Sequence, residues 1–167
     1  MKRLKNITAA LLILVMSLTF FAACNKGKNA TMRDITATEL VADMGIGWNL
    51  GNTLDSLPTE TSWGNPKATN ELIKAVKDAG FKTVRIPITW IDHTGDAPDY
   101  EIDKDWMDRV EEVVGYVLDN DMYAIINIHH DGGHGISGMW LTPTESDYEE
   151  GIARFTKIWE QISDRFK

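Results

Sequence analysis

Three apolar, strand-like segments alternate with amphipathic helical segments, and the last of them turns polar at its C-terminal end. That order constrains the fold more than any other feature. Strands that recur with a helix between them pair in parallel, because parallel neighbours need a crossover. In such sheets ligands sit at the carboxyl ends of the strands. That last segment is Tyr123-Ala-Ile-Ile-Asn-Ile-His-His-Asp131, greasy along its length and polar only at the end.

In chain order, Thr36–Met44 is a short helix candidate with Leu40, Val41 and Met44 on one side. Gly45–Asn52 holds a short strand among three glycines, and Leu54–Asn65 is a loop. Thr69–Ala79 is a helix, capped by Thr69 and stopped by Gly80. Phe81–Ile88 is a strand and Asp92–Tyr100 a loop. Asp103–Asn120 carries Trp106, Val110, Val113, Val114, Val117 and Leu118 at helical spacing. Met122–Ile128 is the next strand, followed by a glycine-rich loop, 129–144. Ser146-Asp-Tyr-Glu149 has the capping-box pattern. It opens a helix with Tyr148, Ile152, Phe155, Trp159, Ile162 and Phe166 on one face. Three such strand–helix units make either a small open α/β domain or the N-terminal part of a barrel.

The first residues read as a targeting segment. Lys2, Arg3 and Lys5 precede the apolar run Ile7–Phe21, which is short for a membrane span. Phe21-Ala-Ala-Cys24 resembles a bacterial lipobox, with cleavage before Cys24 and lipid on its thiol. Phe21 stands where such motifs usually have Leu. Residues 1–23 are therefore expected to be a lipoprotein signal peptide, 24–34 a tether and 35–167 the folded domain. Cys24 is the single cysteine, so no intrachain disulfide forms. The formal charge is −8, and removing residues 1–23 strips three cations and no anion. An acidic, exported domain argues against nucleic acid or an anionic membrane surface as partner. It suits a neutral substrate met outside the cell, at the cell surface if the anchor is present.

Arg85 lies inside a strand that should be buried on both faces. A guanidinium there needs acceptors close by, most naturally carboxylates. His129 and His130 follow the apolar run, and on an extended strand they would point to opposite faces. That geometry disfavours a shared metal. His129, His130, Asp131 and His134 nonetheless form the pattern that a metal-dependent hydrolase would use. Asn52 and Asp55 follow the first strand, and His93 the second. Trp63, Trp90 and Trp140, three of six tryptophans, lie at strand ends and offer flat faces suited to pyranose rings.

Several stretches together resemble glycoside hydrolase family 5, its cellulase and xyloglucanase-type endoglucanases. They are Gly45-Ile-Gly-Trp-Asn-Leu-Gly-Asn-Thr-Leu-Asp55, Glu60-Thr-Ser-Trp-Gly-Asn-Pro66, Gly80-Phe-Lys-Thr-Val-Arg-Ile-Pro-Ile-Thr-Trp90, Ala97-Pro-Asp-Tyr100 and Ile126-Asn-Ile-His-His-Asp131. The resemblance implies an α/β fold, the N-terminal part (about three β/α units) of a (β/α)8 TIM barrel. It implies retaining hydrolysis of β-1,4-glucans, a monomer, and no metal or other cofactor. By the same resemblance Arg85 supports a nucleophilic glutamate and His129 lines the sugar subsite at the cleavage point. Asn52, Asp55, His93, His130 and Trp140 contact substrate. The family's two catalytic glutamates lie beyond the fourth and seventh strands, so the chain is expected to be inactive alone. Glu145, Glu149 and Glu150 read as capping and solvated charge. A non-catalytic glucan-binding surface lipoprotein is the remaining alternative.

Overall fold

The computed structural model describes residues 33–132, 138–142 and 148–167. The expected signal peptide, Cys24 and most of the tether lie outside these residues, as do His134, Glu145 and Ser146. From Thr36 onward the order is α1 (Ala37–Met44), β1 (Gly47–Asn49), α2 (Asn70–Asp78), β2 (Thr83–Ile88), a 3-10 turn (Ile91–His93), α3 (Lys104–Asp119), β3 (Tyr123–Ile128) and α4 (Tyr148–Arg165).

The strands form one parallel sheet in the order β1-β2-β3. Arg85 is in register with Asn49 on one side and Ile125 on the other. Parallel neighbours in register share a face, so Asn49, Arg85 and Ile125 line one side. Val84, Ile86 and Ile88 point to the opposite side and are fully buried. There they join Ile73 and Val76 of α2, Val110, Val113, Val114 and Val117 of α3, and Ile158 and Ile162 of α4. Each fully buried aliphatic of this kind is worth about 1.5–3 kcal/mol. The helices therefore cover one face only, and the other carries Arg85. This is the layout of three consecutive units of a (β/α)8 barrel.

Local chemistry sets the helix starts. Thr36 and Glu39 make a reciprocal capping box at α1. Thr69 accepts the Leu72 amide at α2. Asp103 accepts the amides of Asp105 and Trp106 at α3. Gly80, at φ 98°, ends α2 in a conformation that a side chain would strain. Phe81 and Lys82 complete the turn into β2, which begins at Thr83.

Three expectations about helix faces need correction. Leu118, at the end of the α3 stripe, is 55% exposed. α1 buries none of its residues, and Val41 is 68% exposed. On α4 the buried positions are Gly151, Ile158 and Ile162, while Tyr148, Ile152 and Phe155 are exposed. Of the expected stripe only Ile162 is buried, with Trp159 and Phe166 partly buried against the core. The side of α4 that meets the rest of the described structure is rotated from the stripe's centre, with Gln161 and Arg165 reaching Ile102 and α3.

Candidate functional site

At the carboxyl ends of the strands, Asp55, Arg85, His129 and His130 converge with Trp63. One guanidinium nitrogen of Arg85 donates to Asn49 Oδ1, and the other lies 3.4 Å from His129 Nδ1. The acceptors are thus an amide and an imidazole rather than the expected carboxylates. A guanidinium has five N–H donors, so several remain for a ligand. Burial, with the charges of His130 and Arg85, holds the His129 pKa below the ordinary histidine value. A neutral His129 accepts from Arg85 at Nδ1 and presents Nε2–H as a donor.

His130 stands between an aromatic ring and a carboxylate. Trp63, 39% exposed, meets its ring edge-on at 5.0 Å. Asp55 Oδ2 is 3.8 Å from its Nε2, while Asp55 Oδ1 accepts the Thr53 amide at 2.8 Å. The two imidazoles are 4.3 Å apart and tilted by 55°. They do not point to opposite faces, because β3 ends at Ile128 and strict alternation ends with it. Asn52, exposed and at φ 55°, sits in the loop that leads from β1 to Asp55.

Asp55, His129 and His130 bring one candidate ligand atom each to within 4.8 Å of one another. The metal-type pattern therefore differs from the one expected: Asp55 takes part and Asp131 does not. Arg85 works against a cation here, since its positive charge lies beside His129 and occupies that ring's acceptor nitrogen.

The remaining site residues lie elsewhere. Asp131 is fully buried and accepts the Trp90 amide with both oxygens, at 3.1 and 3.0 Å, and the Trp140 indole N–H at 3.0 Å. Its burial pushes its pKa up. Trp140 lies against the Arg154 guanidinium, 4.9 Å from its centroid. His93 stacks flat on Trp106 at 3.8 Å, with Nε2 buried and without a hydrogen-bond partner. Desolvation lowers its pKa. Trp90 is core.

One residue at the centre went unread in the sequence. Thr89 is fully buried, donates to the Asp55 carbonyl at 3.0 Å and accepts the His130 amide at 3.3 Å. The available signal was a hydroxyl at the end of an apolar strand, where burial demands partners.

A guanidinium, two imidazoles, one carboxylate and an exposed indole lie together at the carboxyl ends of parallel strands, where a β/α-barrel scaffold places its ligand site. Residues 49–167 match the family model described as Cellulase (glycosyl hydrolase family 5), and the chain belongs to that family. It is 54% identical over 136 residues to the cellulase/esterase CelE of Acetivibrio thermocellus, covering 81% of this chain and 16% of that protein. Endoglucanase B of Clostridium cellulovorans is 52% identical, with 81% and 30% covered. Among solved structures, a broad-specificity GH5-4 endoglucanase from Ruminococcus champanellensis with bound cellotriose superimposes with a TM-score of 0.75 at 50% identity, over 81% of this chain and 41% of that one. A family 5 xyloglucanase from Paenibacillus pabuli in complex with ligand gives 0.74 at 44% identity, over 76% and 36%. The chain thus spans well under half the length of these relatives.

Proposed function

We propose that the chain supplies the glucan-binding wall of a retaining endo-β-1,4-glucanase acting on cellulose, xyloglucan or related β-glucans. The observation that carries this is the convergence of Arg85, His129, His130, Asp55 and Trp63 on one sheet end. Sugar hydroxyls match that set of donors and acceptors, and a pyranose face matches the exposed Trp63 ring. Arg85 keeps donors for a nucleophilic carboxylate, and neutral His129 is a donor beside it. Retaining hydrolysis needs two carboxyls about 5–5.5 Å apart. Among the described residues the cluster holds one carboxylate, Asp55, which supports binding rather than cleavage as the role of this part of the enzyme. Export through the Phe21-Ala-Ala-Cys24 motif and lipid attachment at Cys24 belong to the same reading.

The test is calorimetric titration of the chain with cellotetraose, beside a carboxymethylcellulose assay. Saturable binding that His130→Ala and Trp63→Ala each weaken, with no turnover, is expected. Absence of binding overturns the glucan-wall reading, and turnover overturns the division of labour. For the anchor, labelled palmitate should enter the expressed chain and be lost in Cys24→Ala.

A further inference from the structure

Three loops must be held in mutual register for the site to exist, and a single hydroxyl touches two of them. Thr89 follows β2 directly. Its own amide donates to the Leu54 carbonyl at 3.1 Å, in the loop after β1. Its Oγ1 donates to the next carbonyl in that loop, Asp55, and accepts the amide of His130 after β3. The side chain is fully buried, so water does not stand in for either partner. Asp131, the next residue after His130, is fastened to Trp90, the next residue after Thr89. The β3 loop is therefore tied to the β2 end twice in succession, while the β1 loop is tied to it through Thr89 and the residue before Asp55.

We propose that Thr89 is the positioning residue that sets the gap between the Asp55 carboxylate and the His130 imidazole. Both partners are backbone groups, so the hydroxyl fixes the chain at Asp55 and at His130, not their side chains. This leaves the Asp55 carboxylate to Thr53 and His130, and leaves the His130 ring to Trp63. Without the hydroxyl, a buried carbonyl and a part-buried amide lose their partner, and the two loops must shift to find others. The consequence for sugar binding rests on the glucan-wall reading above.

The experiment compares the parent chain with Thr89→Val, which keeps the shape and removes the hydroxyl, and Thr89→Ser, which keeps the hydroxyl and removes a methyl. Cellotetraose affinity is read by calorimetry. The backbone amide of His130 and the ring nitrogens of His129 and His130 are read by NMR. Thr89→Val is expected to bind about tenfold more weakly and to shift the His130 signals, and Thr89→Ser to restore both. Unchanged His130 signals in Thr89→Val, or a Ser variant as perturbed as the Val variant, overturns the proposal. If circular dichroism shows Thr89→Val unfolded, Thr89→Cys replaces it and is read against Thr89→Ser, its near-isostere with a strong donor. If the parent fails to bind cellotetraose, the glucan-wall reading falls while the spectra still decide the role of Thr89.

Discussion

Replacing Arg109 with Met should cost more stability than any other surface-accessible change in the domain. Glu60 sits in the loop between β1 and α2, and its side chain is only 8% exposed. Arg109 of α3, 11% exposed, reaches it with two nitrogens at 2.9 and 2.8 Å. The same guanidinium donates to the Ala68 carbonyl at 2.7 Å, and Glu60 accepts the Ala68 amide at 2.8 Å. Burial works to lower the Arg109 pKa, but the carboxylates of Glu60 and Glu112 raise it above the ordinary value. Arg109→Met keeps the apolar stem and leaves a desolvated carboxylate with one backbone donor. Breaking a buried pair on one side costs about 3–5 kcal/mol, a large share of the 5–15 kcal/mol typical of a domain. Urea denaturation followed by tryptophan fluorescence should show a fall of that size. The double variant Glu60→Leu/Arg109→Met should recover much of it, since no charge is then stranded. A loss below about 1 kcal/mol for Arg109→Met would mean that the pair is effectively solvated and would refute the reasoning. The loop at stake carries Asn52, Asp55 and Trp63, so the same variant should also weaken cellotetraose binding.

Other outcomes can be checked on the same chain. Ile86→Ala, at a fully buried position in the central strand, should cost about 2–5 kcal/mol by denaturant unfolding. His93 is held below its ordinary pKa, so its stabilising contribution is present above about pH 6.5 and is lost as pH falls through the lowered value. His93→Phe should flatten that acid-side decline, and an unchanged pH profile would refute the assignment. Asp131 has the opposite sign: with a raised folded pKa, its contribution is full below about pH 3.9 and is lost as pH rises through the raised value. The stability gap between the parent and Asp131→Asn should therefore narrow from pH 4 upward, and a gap that widens would count against it.

Much of the scaffold was legible because its signals are local. β-Branched runs, helical stripes, the Thr69 cap and the Gly80 stop each depend on neighbours a few residues away. Arg85 was legible for another reason: a charge inside a strand has few places to go. The convergence of Asp55 with both histidines was legible from the family resemblance but not from strand geometry. Strand alternation predicts that His129 and His130 diverge, and it stops applying where β3 ends. Thr89 and Asp131 act through partners 34 and 41 residues away, which no local pattern encodes. The α4 face was half legible, since spacing finds a stripe but not which edge of it meets a neighbour. His93 looked like a site residue from its place after β2, yet it stacks on Trp106 in α3.

The alternation along β2 has a consequence for assembly. Val84, Ile86 and Ile88 face the helices while Arg85 faces away, between Asn49 and His129. A slip of one residue would exchange the two sets, driving a guanidinium into the aliphatic layer and stripping it of both acceptors. Arg85 thus also proofreads the sheet: mispaired strands are rejected by the charge they would have to bury.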